Sequence, residues 1–242
     1  MGDLVAAAPI PRIAVTDRTG RALGTFPVRR IYCVGRNFAD HAREMGAIAP
    51  ASKAERGQPV FFCKPADAIV IDGVVPYPPG THDLHHEVEL VVALGHDAPA
   101  GVLPPESAMQ LVFGYGLGLD LTRRDLQAAA KAKGLPWDTG KAFDRSAPVS
   151  VLLPAAEVGD PAALSLSLEV NGERRQHGEL RDLVWAVADI LHELSKLYAL
   201  RAGDLVFMGT PAGVGPLVPG DRYSATLGHL LRLDGHIAPP AV

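Results

Sequence analysis

The sequence has little of what marks secreted, membrane or nucleic-acid-binding proteins. Only two cysteines occur in 242 residues, and Cys33 and Cys63 each lie in a hydrophobic, strand-like run, which indicates buried thiols rather than a disulfide framework. Lysine and arginine number 23 against 27 acidic residues, and this net charge of −4 argues against nucleic acid or an anionic membrane as partner. No apolar run approaches membrane-spanning length, and the N-terminus lacks the basic region of a signal peptide. We therefore expect a cytoplasmic protein.

What is present indicates one large domain with a sizeable core, because 48% of the residues are hydrophobic. Many short β-prone runs with few helical patterns predict an α+β, strand-dominated fold rather than regular βαβ winding. Asn171-Gly172 predicts a type I′ hairpin, and apolar residues at three- and four-residue spacing predict a helix over 181–199. We interpret residues 1–30, with a modest hairpin signal, as an arm on a catalytic domain of residues 31–242. Residues 47–58 are polar and irregular, and are a candidate lid.

The strongest indication of function is the run 85–94, which carries two carboxylates inside an otherwise apolar, β-prone segment. In a strand, Glu87 and Glu89 point to the same face, because side chains alternate. Two adjacent carboxylates on a half-buried surface repel each other and lose hydration, so we interpret them as a cation site. A strand with a solvated acidic face is the alternative. Oxygen ligands without a nearby cysteine favour magnesium, manganese or calcium over zinc.

A second stretch, residues 113–120, has glycine at every other position and ends in a carboxylate. In a strand, Gly114, Gly116, Gly118 and Asp120 share one face. Glycines inside a strand usually mark a close approach to the backbone, so we expect Asp120 to look out over a surface cleared for a ligand. Three carboxylates from two strands fit an octahedral Mg²⁺ or Mn²⁺ site that leaves positions for water and substrate.

Three further side chains are candidates for the chemistry. His41 and Glu44 are three residues apart on a short predicted helix, so they lie on one face, where the carboxylate orients the imidazole as a general base. An ordinary surface pair is the alternative. Lys141 follows the irregular segment 136–140 and is either a solvated lysine or a group that neutralises a substrate carboxylate or an oxyanion. Gln127 lies on the helix after the glycine-rich strand, where a simple surface role is the alternative.

Four stretches of the sequence together resemble the fumarylacetoacetate hydrolase family, and its acylpyruvase and fumarylpyruvate hydrolase members most of all. The stretches are Tyr32–His41, Leu84–Leu90, Gly118–Gln127 and Gly209–Gly215, and they match in this order over roughly residues 29 to 228. The resemblance implies a mixed β-roll of the family's C-terminal-domain type, usually dimeric. It also implies that Glu87, Glu89 and Asp120 hold Mg²⁺ or Mn²⁺.

The resemblance further implies which side chains act on the substrate. The expected catalytic residues are His41 and Glu44, as a water-activating dyad, with Lys141, and the expected substrate-binding residues are Arg36, Gln127 and Thr210. Gly140 stands where the family leads us to expect a larger apolar residue, which predicts a looser placement of the following lysine. Arg36, Lys64 and Lys141 are expected near the pocket, where their charges favour a substrate with a second carboxylate.

Our hypothesis is a metal-dependent hydrolase of aromatic catabolism that cleaves the carbon–carbon bond of an acylpyruvate, with 3-fumarylpyruvate giving fumarate and pyruvate. The metal is expected to chelate the 2-oxo acid end of this small-molecule substrate, while water activated by His41 attacks the distal carbonyl. Two alternatives stay open within the family, an oxaloacetate decarboxylase and a 2-hydroxydienoate isomerase, neither of which needs an attacking water. A non-catalytic protein that binds oxo acids or metals is the alternative of another class. The expected assembly is a homodimer.

Overall fold

The computed structural model describes residues 8–46 and 55–240, and short strands dominate this part of the chain. In chain order the strands are β1 (Arg12–Thr16), β2 (Ala22–Pro27), β3 (Arg30–Gly35), β4 (Val60–Lys64), β5 (Ile69–Val70), β6 (Val74–Pro76), β7 (Leu84–His86), β8 (Val88–Leu94), β9 (Val112–Leu119), β10 (Thr122–Arg123), β11 (Ala147–Pro148), β12 (Leu153–Pro154), β13 (Ser165–Val170), β14 (Glu173–Glu179), β15 (Asp204–Phe207), β16 (Gly215–Leu217), β17 (Arg222–Leu227) and β18 (Leu231–Ala238). The α-helices are α1 (Ala39–Glu44), α2 (Pro105–Ala108), α3 (Arg124–Ala132), α4 (Asp138–Lys141), α5 (Ala155–Val158) and α6 (Val187–Ser195). This is the strand-dominated α+β fold that the sequence predicts.

A mixed six-stranded sheet, in the order β12-β9-β8-β15-β3-β4, forms the centre of the molecule. Every residue of β8 is buried, which explains why its sequence is apolar on both faces. Leu90 and Val92 belong to one core cluster, and Val91 and Ala93 belong to another, because successive side chains point to opposite faces. Glu89 is in register with the second pair, so it lies at the end of the smaller core.

A five-stranded sheet, in the order β14-β13-β17-β18-β6, contributes to the larger core. Its β13–β14 hairpin turns at Asn171 and Gly172, whose φ angles of 55° and 81° are both positive, as a type I′ turn requires. The predicted hairpin is therefore confirmed. In the described part of the chain, no helix is long and apolar enough to cross a membrane.

The N-terminal hairpin of β1 and β2 packs against the central sheet. Ile13, Val15 and Phe26 are buried in the smaller core together with Val91, and the Phe26 ring lies 5.4 Å from that of Phe113. The hairpin thus forms part of the wall behind the acidic end of β8. Whether residues 1–30 behave as a separable arm remains a prediction.

The predicted helix over 181–199 is wrong at its beginning, because α6 covers only Val187–Ser195. The buried side chain of Asn37 holds the preceding segment in another conformation, since its carbonyl accepts from the Trp185 amide at 2.7 Å. The Asn37 backbone carbonyl accepts from the Val184 amide at 2.9 Å. These bonds satisfy backbone groups that a longer helix would use internally.

Most of the candidate lid, residues 47–54, lies outside the described residues. Its described end is attached to the body of the protein, because Arg56 pairs with Asp189 at 2.6 Å and lies over the Trp185 ring at 3.8 Å. Arg56 therefore anchors the described end of this segment to the body of the protein.

Replacing Phe26 by alanine should lower the free energy of unfolding by about 3–5 kcal/mol, because the change opens a cavity in the smaller core. Leu23→Ala on the same strand is the matched control, since Leu23 is 47% exposed and its loss should have little effect. Urea unfolding of both variants measures the difference. Equal stabilities would show that the hairpin does not support the core.

Candidate active site

Three buried carboxylates converge at the junction of two sheets. Glu87, Glu89 and Asp120 are 5%, 2% and 1% exposed, and each offers an oxygen within 4.8 Å of the others. The predicted single strand is divided here, because β7 pairs with β10 and β16 whereas β8 joins the central sheet. Glu87 occupies the break, and its backbone carbonyl accepts from the Asp120 amide at 2.8 Å. The cluster is deeply buried, so the alternative of a solvated acidic face is wrong.

The glycines of β9 clear space for the protein itself and not for a ligand. A Cβ at Gly114 or Gly116 would collide with residues 150–154, and one at Gly118 would collide with the Phe207 ring. The expectation of a surface open to substrate along this face is therefore wrong. The close packing instead fixes the end of β9, and with it the carboxylate that follows.

Three cations lie against two of the three carboxylates. Lys141 Nζ lies 2.7 Å from Glu87 Oε2 and 2.6 Å from Asp120 Oδ2, and it donates to Thr122 Oγ1 at 2.6 Å. Lys64 Nζ lies 2.9 Å from Asp120 Oδ1, and Arg124 pairs with Glu87 Oε1. Burial opposes the charge on Lys141, but the two neighbouring carboxylates outweigh it and raise the pKa of the lysine. Lys141 is thus a buried ammonium, and not the solvated lysine of the alternative interpretation.

The remaining carboxylate, Glu89, has no lysine or arginine partner among the described residues and accepts a hydrogen bond from the Gly209 amide at 2.7 Å. Burial raises its pKa well above the ordinary value, and the nearby Asp120 and Glu87 raise it further. Burial also opposes ionisation of Glu87, but Lys141 and Arg124 reverse this effect and lower its pKa. Negative charge is therefore least compensated on the side of Glu89.

The site has the properties that a divalent cation requires. Asp120 Oδ1 is buried, and no described donor reaches it with hydrogen-bond geometry, although Lys64 Nζ is close. A bound cation would coordinate this oxygen and would also offset the repulsion between Glu89 and the neighbouring carboxylates. All three ligands are carboxylates, which suits a hard ion such as Mg²⁺ or Mn²⁺. The residues present thus fit the expected metal.

Lys64 lies near the pocket, as expected, but cannot reach a substrate, and the expectation about Gly140 is wrong. Lys64 does not line the cavity but lies behind Asp120, where it donates to the backbone carbonyls of Leu121, at 3.1 Å, and of Lys141. It supports the site and has no access to substrate. Gly140 does not loosen the lysine that follows it, because a Cβ there would lie within 3.0–3.1 Å of the Gln127 backbone. The glycine lets α4 pack closely against α3 and so fixes the position of Lys141.

His41 and Glu44 form the expected pair on α1. His41 is 6% exposed, and its Nδ1 lies 3.2 Å from Glu44 Oε2. The amide of Gly213 donates to Glu44 Oε1 at 3.0 Å and holds the carboxylate in place. Burial lowers the pKa of His41, although Glu87 and Glu44 oppose this shift. With Nδ1–H donating to Glu44, the neutral ring keeps its Nε2 lone pair for a proton.

A small, partly open cavity of about 30 Å³ brings these groups together. Its lining includes Arg36, His41, Glu87, Glu89, Asp120, Arg124, Gln127, Lys131, Trp137, Lys141 and Thr210. Of the nine residues predicted for the site, only Glu44 is absent from the lining, because it lies behind the imidazole. Sequence reasoning missed Arg124, Lys131 and Trp137. A helical spacing of three and seven residues, starting from Arg124, was the signal that could have revealed the first two together with Gln127.

The side chain of Gln176, which is not part of the cavity lining, holds Thr210 in place. Gln176 donates to Thr210 Oγ1 at 2.8 Å, and its own carbonyl oxygen accepts from the Val88 amide at 3.1 Å. The hydroxyl of Thr210 therefore accepts one hydrogen bond from Gln176 and keeps its own proton to donate. The link through Gln176 ties this hydroxyl to the strand that carries Glu89.

Comparison with known proteins agrees with this arrangement. The C-terminal domain model of fumarylacetoacetate (FAA) hydrolase matches residues 30–238. The chain therefore belongs to the fumarylacetoacetate hydrolase family, as its sequence motifs predict. A fumarylpyruvate hydrolase of Pseudomonas aeruginosa, solved in complex with Mn²⁺ and pyruvate, is 44% identical with a TM-score of 0.88, and the match covers 98% of this chain and 100% of the other.

Two curated relatives catalyse a different reaction. An oxaloacetate tautomerase of Escherichia coli (strain K12) is 43% identical over 217 residues, which are 89% of this chain and 93% of the relative. The human mitochondrial oxaloacetate tautomerase is 41% identical over 213 residues, or 88% of this chain and 93% of the relative. The comparisons thus include enzymes of both reaction types.

Mn²⁺ should raise the thermal midpoint of the protein in a concentration-dependent way, because a ligand that binds only the folded state stabilises it. Asp120→Asn should largely remove this rise. Asp144→Asn, a change of an exposed carboxylate outside the cluster, should retain it. Scanning fluorimetry over a series of Mn²⁺ concentrations measures the shifts, and an unchanged response in Asp120→Asn would contradict the assignment of this ligand.

Proposed function

We propose that the protein is a Mg²⁺- or Mn²⁺-dependent hydrolase that cleaves acylpyruvates, with 3-fumarylpyruvate as the preferred substrate. The observation that carries this proposal is the His41–Glu44 pair, in which the buried His41 imidazole lines the same cavity as the acidic cluster and Glu44 orients it from behind. A neutral, oriented imidazole beside a cation site is the arrangement needed to activate water next to a bound 2-oxo acid. Glu87, Glu89 and Asp120 are the proposed metal ligands.

His41 acts as the general base in this proposal. It takes a proton from water, and the hydroxide adds to the acyl carbonyl of the substrate. The bond between that carbon and the adjacent methylene then breaks, which yields a carboxylic acid and the enolate of pyruvate, and the acid loses its proton to water. The enolate carbon takes up a proton from the imidazolium, so His41 returns to its neutral form. The metal, when bound, supplies positive charge for the oxygens at the 2-oxo acid end.

Charge on the acyl oxygen is stabilised by the cavity's donors. Lys141 contributes its positive charge, although its three N–H groups already donate to Glu87, Asp120 and Thr122. Thr210 has a hydroxyl proton available. Arg124 Nη1 donates to Gln127 Oε1 at 2.6 Å, and because arginine only donates, the amide NH₂ of Gln127 is left to face the cavity. The two free donors, together with the positive charge of Lys141, therefore stabilise the region where negative charge develops.

Oxaloacetate tautomerisation is the second candidate. It is favoured by the names of the relatives that are 43% and 41% identical. This reaction moves a proton between carbon and oxygen without adding water, and His41 can serve as the base for it. The homodimer, the cytoplasmic location and the role in aromatic catabolism remain predictions.

His41→Ala should lower the rate of fumarylpyruvate cleavage by about 10² to 10⁴, the usual scale for loss of a general base. Binding of Mn²⁺ should persist, because the carboxylates are unchanged. His82→Ala, a change of an exposed histidine, is the control. Rates are followed by pyruvate release, and binding by calorimetry. Retention of the full rate in His41→Ala would overturn the role of the dyad.

The kcat/KM for fumarylpyruvate should exceed that for acetylpyruvate, because the cavity wall carries Arg36 and other cations that favour a second carboxylate. Arg36→Ala should narrow the difference, whereas Arg43→Ala, a change of an exposed arginine on α1, should not. Steady-state kinetics on both substrates provide the test. Equal efficiency of the unaltered protein on the two substrates would instead indicate an open acyl pocket.

A further inference from the structure

Lys131 is the cation of the cavity that the proposed chemistry does not use. Lys131 lies on the same face of α3 as Arg124 and Gln127, because the three residues are spaced by three and four positions. Arg124 and Gln127 already have partners in the site. Arg124 marks the inner end of this face through its pair with Glu87. At about 1.5 Å of rise per residue, Lys131 lies roughly 10 Å further along the helix axis.

The surroundings of Lys131 lack a compensating anion. Among the residues that the structure describes, no carboxylate pairs with it, and its ammonium instead lies over the Trp137 ring at 5.1 Å from the centroid. The lysine is half-buried, and Arg36 also lines the same cavity. Burial lowers the pKa of Lys131, and the neighbouring Arg124 and Arg36 lower it further, which outweighs the opposing effect of Glu87. This part of the cavity is therefore a site of unmatched positive charge.

We propose that Lys131 binds the far carboxylate of a long dicarboxylic 2-oxo acid and is the specificity-determining residue at the outer end of the cavity. The inference rests on the proposed function for the orientation of the substrate, with its 2-oxo acid end at the acidic cluster. Arg36 is the second cation available to the same carboxylate, and Trp137 provides an apolar wall for the chain between the two ends.

The position of Lys131 along α3 makes the effect depend on chain length. A short diacid such as 2-oxoglutarate has its second carboxylate near the metal end, within reach of Arg124 and Gln127. A long diacid such as 2-oxopimelate, which has the same carbon count as fumarylpyruvate, extends its second carboxylate toward the outer turn of the helix. Lys131 should therefore contribute to binding of the long diacid and contribute little to binding of the short one.

The test is calorimetric binding of 2-oxopimelate, 2-oxoheptanoate and 2-oxoglutarate to the Mn²⁺-loaded protein. The first two acids have equal length and differ only in the second carboxylate. Lys131→Met should weaken binding of 2-oxopimelate by about 10- to 100-fold, the scale of a charge-assisted hydrogen bond, and leave the other two nearly unchanged. Lys131→Arg should retain most of the affinity. Lys133→Met, which removes an exposed lysine from the same end of α3, is the charge-matched control.

Equal losses for 2-oxopimelate and 2-oxoheptanoate in Lys131→Met would overturn the inference, and so would a protein that does not prefer the diacid of the pair. The thermal midpoint of each variant shows whether a loss of binding is caused by unfolding. If Lys131→Met is unfolded, the folded Lys131→Arg variant provides the test, and weak binding of 2-oxopimelate by this variant would overturn the inference. Binding is read without turnover. A protein that binds 2-oxopimelate through Lys131 but does not cleave fumarylpyruvate would refute the proposed function and leave this inference intact.

Discussion

The structure depends on the balance of charge around three buried carboxylates. An unpaired buried carboxylate is strongly destabilising, and buried cations lie against both Glu87 and Asp120. Lys141 touches both, and Lys64 supports the second from behind. Glu89 is left with a backbone donor alone. Cations of the protein therefore already lie against two of the three carboxylates before any metal binds. The site can still accept a metal ion on the side of Glu89.

The strands around this cluster position its three carboxylates. Glu87 lies where the chain passes from a small sheet into the central sheet, and Glu89 is the second residue of the buried strand that follows. Asp120 is positioned by a strand whose glycines allow the Phe207 ring and the segment 150–154 to pack directly on the backbone. Gly140 has the same effect for Lys141. Close packing of backbone, and not a rigid loop, therefore sets the geometry.

Much of the site is predictable from sequence because its signals are local. The spacing of Glu87 and Glu89, the pair of His41 and Glu44, and the family motifs all place chemistry at particular residues, and the structure brings these side chains to one cavity. The sequence also predicts the Asn171-Gly172 hairpin, since turn chemistry acts over a few residues.

What sequence reasoning could not provide depends on long-range contacts. The start of α6 is set by Asn37, which is distant in the chain, and no periodicity reports that constraint. The glycines of β9 look like an opening for a ligand until their covering segment is known. Lys64 and Lys131 are both lysines in ordinary contexts, but one is buried behind a carboxylate and the other lines the cavity. Only the tertiary arrangement separates these roles.

The most direct test of the account is cleavage of 3-fumarylpyruvate by the Mn²⁺-loaded protein in water enriched in ¹⁸O. If water activated at the dyad attacks the acyl carbonyl, mass spectrometry of the fumarate should find a single ¹⁸O in its new carboxylate, and pyruvate should form in equal amount. A protein that interconverts the tautomers of oxaloacetate under these conditions but releases no labelled fumarate would contradict the account.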